Sequence, residues 1–191
     1  MRDGPNGIAW ILRLAWERRP RRTVRSPGGY RVQFEHPTQL LASTFLRALA
    51  TADHELVWAR LSRESRGLLE GLYASRAGIA LARAAGVDDD ASDARLVPSV
   101  APLLEGARAV AGGVERLGAS GVSAARLVDR LTAFVLVLAD FPEERIVREE
   151  EWSPSHLLAF VRESGEWLVD LGKTAELSAE AGLPDPLGSV R

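Results

Sequence analysis

Few side chains in this chain can do chemistry. It has three histidines (His36, His54 and His156) and no cysteine. That excludes disulfide scaffolds, thiolate zinc sites, iron–sulfur clusters and thiol nucleophiles together. The histidines are scattered and no His-Glu-x-x-His spacing occurs, so neither metal nor cofactor is expected. No Gly-x-Ser-x-Gly elbow supports a serine hydrolase. Gly112-Gly113 is followed by no lysine, so it does not match a phosphate loop. Asp88 to Asp93 is acidic but lacks the central glycine and distal glutamate of a calcium loop, so it reads as solvated.

His156 is the most informative of the three histidines. It opens an apolar strand and, by the two-residue period, shares a face with Leu158 and Phe160. A neutral imidazole there could act as a general base in a pocket. The same position also suits an exposed strand end after Ser153-Pro154-Ser155. His54 sits in a helix's first turn beside Asp53 and Glu55, where a surface position is expected. His36 precedes Pro37 in a linker and is given no role. Trp58, Tyr73, Phe134, Trp152 and Trp167 are candidate linings of an apolar ligand pocket, or simply core. Glu149-Glu150-Glu151 reads as a charged strand edge that blocks aggregation.

These groups need elements to hold them. Leu40, Leu41, Phe45 and Leu49 mark one face of a helix from about Pro37 to Ala52. Asp53 is positioned as the cap of a second helix, His54 to Leu61. Ser62 caps a third, whose pattern could extend through Ile79 to Gly86. Pro98 to Leu117 is alanine- and glycine-rich, with weak helical spacing. Leu131 to Ala139 is a β-type run, apolar on both faces. One of its faces would line a core or cavity, and the other would meet a partner subunit or the chain's own N-terminal arm. Strands are expected at Arg145–Trp152, Ser155–Arg162 and Trp167–Asp170, with a hairpin turn at Glu163-Ser164-Gly165-Glu166. Beyond Leu171 the spacing predicts only a helical turn around Ala175–Ala181 in a frayed tail. Helices first and an antiparallel sheet last is an α+β order.

The chain is 191 residues with 46% hydrophobic and 26% charged residues, the balance of one globular domain with an extension. Its net charge of -2 is unevenly placed. Residues 1–35 hold eight arginines against three acids, densest in Arg18 to Arg25. The rest is acidic. Gly7 to Arg19 reads as a short helix ended by Pro20, and Tyr30 to Phe34 as an extended arm. A docking arm is the favoured reading, over a lipid anchor or a nucleic-acid tail. No nucleic acid is therefore expected as a partner. The first residues do not form a secretory signal, and no apolar run is long enough to span a bilayer. A cytoplasmic protein is the expectation.

Two stretches carry a family resemblance. Phe45 to Arg66, with Asp53, Trp58 and the junction Leu61-Ser62-Arg63-Glu64-Ser65-Arg66, resembles the opening helices of the NTF2-like superfamily. That superfamily includes SnoaL-like cyclases and ketosteroid isomerase. Phe160 to Asp170, with Gly165 and Trp167 at the turn, is similar to the family's terminal hairpin. The resemblance implies an NTF2-like domain at 37–171, preceded by a basic arm at 1–36 and followed by a C-terminal tail at 172–191. A helical or loop insert at about 74–122 departs from the family pattern. The implied fold is a curved antiparallel sheet that wraps the first helix as a cone with an apolar cavity, in a protein that forms a homodimer.

For isomerase or cyclase chemistry the resemblance would require a pocket carboxylate and a donor for an oxyanion. Tyr73 is the tyrosine within that domain. Asp129, Asp140 and Asp170 lie on or near strands, and Asp129, just before the apolar strand, could face the cavity. Each of these acids also suits a solvated strand end. The catalytic candidates are therefore Asp129, Tyr73 and His156. Three functions stay open: a binder of a small apolar molecule, a non-enzymatic dimeric interaction or accessory module, and an isomerase or cyclase.

Overall fold

The structure is a computed structural model, and it describes residues 24–26, 29–31, 36–78, 121–138 and 154–185. The expected helix at Gly7–Arg19, the acidic loop, the Pro98–Leu117 stretch, the strand at Arg145–Trp152 and the charge run at Glu149–Glu151 lie outside them.

Near the N-terminus, β1 (Val24–Ser26) and β2 (Gly29–Arg31) form a two-stranded antiparallel hairpin. α1 (Pro37–Thr51) follows. His36 caps it, and its own N–H donates to Gln39 Oε1 at 3.0 Å. Pro37 fits the first helical turn, where no N–H partner is needed. α1 buries Leu41, Ala42, Phe45, Leu46, Ala48 and Leu49 and leaves Leu40 exposed. Ala52 ends it in the left-handed region at φ 55°. Asp53 then caps α2 (His54–Ala59) as expected, accepting from the Leu56 N–H at 3.0 Å. Ser62 caps α3 (Arg63–Ala77). The sequence spacing let α3 run on to Gly86, but Gly78 closes it at φ 64°. Glycine tolerates that left-handed geometry at the end of a helix.

The second half supplies an antiparallel sheet. β3 (Gly121–Val122) and β4 (Arg126–Leu127) share one edge and pair in turn with β5 (Thr132–Leu138). Between β3 and β4, Ser123 Oγ accepts from the Leu136 N–H at 2.9 Å, bridging the break in the edge. β5 pairs with β6 (Pro154–Glu163), and β6 with β7 (Glu166–Val169). The β6–β7 turn falls where the sequence put it. Ser164 and Gly165 both have positive φ, the geometry that matches strand twist in a two-residue hairpin. Helices followed by an open antiparallel sheet make this an α+β fold.

β5 and β6 are apolar on both faces, so both faces must be covered. On one, Val135, Val137, Leu158 and Phe160 pack with α1, α2 and α3 through Phe45, Leu49, Trp58 and Leu69. On the other, Phe134, Leu136, Leu157 and Ala159 pack with Leu177 and Ala181. Those two residues belong to α4 (Leu171–Ala181), which the sequence reading reduced to one turn in a frayed tail. A partner subunit or the N-terminal arm was expected on this face; the chain's own C-terminal helix occupies it. α4 carries a weak signal because two of the five residues in its buried stripe (Leu171, Thr174, Leu177, Ser178 and Ala181) are polar, and Gly172 interrupts the helical pattern.

Candidate functional site

The two stretches that suggested a family meet in space. The backbone between α2 and α3 runs along the outer edge of β7: the Val169 N–H donates to the Arg60 carbonyl and the Ser62 N–H to the Val169 carbonyl, both at 2.8 Å. The junction thereby protects a sheet edge that would otherwise invite foreign strands. Asp170, read from sequence as a solvated strand end, is buried instead. The assignment that pairs every hydroxyl hydrogen runs in one direction. The Leu171 N–H donates to Ser65 Oγ at 2.8 Å, Ser65 to Ser62 Oγ at 2.7 Å, and Ser62 to Asp170 Oδ2 at 2.7 Å. Asp170 Oδ1 caps α4 by accepting from the Lys173 N–H at 2.7 Å. Glu163 accepts from the Arg63 N–H, placing a carboxylate at the positive end of α3. The Ser62 and Ser65 hydroxyls are therefore committed to architecture.

The aromatic candidates do not form one lining. Trp58 is buried on the face covered by α1, and the Arg66 guanidinium sits 5.8 Å from its ring centroid. Phe134 points to the opposite face, under α4. Tyr73 is half-buried on α3. Trp167 is half-buried on β7 and meets the His36 ring edge-on at 5.5 Å. Trp152 lies outside the described residues. A groove of about 300 Å³ lies along the outer side of α1 and α2, between Leu40, Arg47, Thr51 and Leu56, and none of the described aromatics borders it.

Asp129 is exposed in the turn between β4 and β5. Its Oδ1 accepts from the Leu131 and Thr132 N–H groups at 2.7 Å each. The Leu131 bond chiefly holds its carboxyl below the usual range, so it stays ionised. It is a turn-closing group rather than a cavity acid. Asp140 lies outside the described residues. His54 is half-buried in the first turn of α2.

His36, given no role from sequence, has one. Its Nδ1 accepts from the Thr38 N–H at 3.3 Å and lies 2.8 Å from Thr38 Oγ1. Burial lowers its pKa, and protonating Nδ1 would remove the cap acceptor. No signal short of the full capping box, which here begins on a histidine, would have shown this.

His156 is 7% exposed rather than a surface strand end. It pairs with Val137 across β6 and β5, and Val137 pairs with Val122. That row lies on the face packed by α1. Among the described residues neither ring nitrogen has a hydrogen-bond partner. Burial lowers its pKa, which keeps the imidazole neutral. Trp167 pairs with Arg162, about 20 Å from His156 along β6 at 3.3 Å per residue, toward the other end of the face. Among the described residues no charged group acts on His156 to form a catalytic pair.

Among the described residues no cluster of three or more potential ligands could hold a metal, and no helix is long and apolar enough to cross a membrane. The fold and site define a class no narrower than an α+β protein with a buried, unpartnered histidine on the helix-covered face of its sheet. Compared with protein-family models, curated proteins and solved structures, the chain matches none.

Proposed function

We propose that the protein binds a small, mostly apolar molecule on the helix-covered face of its sheet, with His156 at the polar end of the site. The burial of His156 with both nitrogens unpaired carries this reading. An unpartnered polar group in a protein interior costs about 1–3 kcal/mol, a cost that a ligand would remove. The NTF2-like resemblance supports it, since a cone fold places its cavity on that face. So does α1, whose first turn touches both sheet edges: His36 against Trp167 of β7, and Gln39 Nε2 donating to the Ser123 carbonyl beyond β3 at 3.0 Å. In a flat sheet those edges stand roughly 14 Å apart, so the contacts favour curvature. Binding is preferred to isomerisation because Asp129 faces solvent and its carboxylate is engaged by the Leu131 and Thr132 N–H groups of its own turn. The cytoplasmic setting expected from sequence belongs to the same reading.

The test is a solvent extract of freshly purified, denatured protein analysed by mass spectrometry, alongside titration with the uncharged apolar dye Nile red at pH 8. A stoichiometric compound, or saturable dye binding to folded protein, is expected. An empty extract together with no saturable dye binding overturns the proposal. One observation favours the second reading, a dimeric or accessory interaction module. Leu127, Val128 and Leu131 stand exposed around the β4–β5 turn.

A further inference from the structure

We infer that the group recognised at His156 is an uncharged oxygen, the hydroxyl or carbonyl of an otherwise apolar molecule, and not a carboxylate, a phosphate or a metal ion. The inference rests on the binding reading above and narrows it. A neutral imidazole offers one N–H donor and one bare nitrogen acceptor. At His156 both are unused inside the protein. A hydroxyl can bond to either nitrogen, and a carbonyl can take the N–H. The surrounding rows of the face are aliphatic or aromatic: Val122 and Val137 across from His156, then Val135 and Leu158, then Phe160 and Val169. These strand positions contain no lysine or arginine. An anionic ligand there would surrender its hydration without a countercharge from these strand positions, which is costly in an apolar setting. A metal ion would need two or three further donors, and among the described residues no such group of side chains assembles.

The probes are 2-naphthol, 2-naphthoate and naphthalene, three molecules of one shape with a neutral hydroxyl, a carboxylate and no polar group. Binding to the full chain is measured at pH 8 by calorimetry, and the His156 ring protons are followed by NMR. The expected result has three parts. Naphthol binds at least tenfold more tightly than naphthoate, and more tightly than naphthalene. Naphthol shifts the His156 ring resonances. In His156→Leu the advantage of naphthol over naphthalene disappears, while naphthalene still binds. If naphthalene binds and naphthol has no advantage, the neutral-oxygen inference falls and the apolar site stands. If naphthoate binds most tightly, the site is anionic in preference and the inference is wrong. If none of the three binds the wild-type protein, the inference falls. Failure of the dye and extract measurements as well would show that the binding reading fails with it.

Discussion

Removing the Ser62 hydroxyl should destabilise the fold more than a typical serine-to-alanine change, because one oxygen serves two ends of the chain. It accepts from the Ser65 N–H at 3.1 Å as the cap of α3 and donates to the buried Asp170 carboxylate at 2.7 Å. Losing a helix cap costs about 1 kcal/mol. Losing a hydrogen bond to a buried charged acceptor costs roughly 1–3 kcal/mol, since no water replaces the donor. Ser62→Ala should therefore cost about 2–4 kcal/mol. In a chain of this length that is a fall in Tm of roughly 4–16 °C.

The measurement is urea unfolding followed by tryptophan fluorescence and far-ultraviolet dichroism, on Ser62→Ala, Asp170→Ala and the double variant. Asp170→Ala loses the α4 cap as well as the Ser62 bond. The double variant cannot lose the shared bond twice. It should be more stable than the sum of the single losses predicts, by about 1–2 kcal/mol. A loss below 0.5 kcal/mol for Ser62→Ala, on the order of an ordinary surface change, would refute the reasoning. So would additivity within error, which would show that the two ends are not coupled through this bond.

Three further outcomes follow from the same geometry. His156→Leu should raise stability by about 1–3 kcal/mol in urea unfolding at pH 8, because it replaces an unpartnered buried imidazole with an apolar side chain; a loss of that size would mean that the ring is satisfied. His36 and His156 both have pKa values lowered by burial, so the folded state binds fewer protons than the unfolded state. Stability should then be fully present above the unfolded value of about 6.5 and fall as the pH drops below it. Urea midpoints at pH 8, 6 and 5 check the sign, and His156→Leu should flatten the slope without abolishing it. Ending the chain after Asp170 removes α4 and bares Phe134, Leu136 and Leu157. The truncated protein should aggregate on expression; a soluble monomer with a sharp unfolding transition would contradict the packing.

The elements legible in the sequence were those whose pattern is local. Asp53 and Ser62 announce helix starts because a cap is a contact within three residues. Glu163-Ser164-Gly165-Glu166 announces a hairpin because positive φ at two successive positions limits what can stand there. The alternation of Leu131 to Ala139 showed a strand apolar on both faces, but not what covers the second. α4 was missed because a helix that packs through Thr174, Ser178 and Ala181 leaves only a weak hydrophobic stripe. The pocket reading grouped Trp58 with Phe134 because both are aromatic. Strand parity sends Phe134 to the other side of the sheet, and nothing in the composition of either stretch reveals that.

The same distinction separates the architectural residues from the candidate site. The sequence reads Ser62 as a helix cap, Ser65 as part of the junction after it, Glu163 as part of a hairpin turn and Asp170 as a strand-end acid, with nothing to join the first pair to the second. In the fold each is used up by a partner from the other end. Asp129 and His36 are likewise spent, on a turn and on a cap. A side chain whose hydrogen-bonding capacity is fully met by the fold has none to offer a ligand. By that criterion, among the described catalytic candidates Asp129, Tyr73 and His156, it is His156 that burial has taken from water and the protein has left unpaired. The histidine argued from strand period alone keeps its place, for a reason the period could not supply. His156 is set apart by its unmet donor and acceptor, more than by its position at the head of an apolar strand.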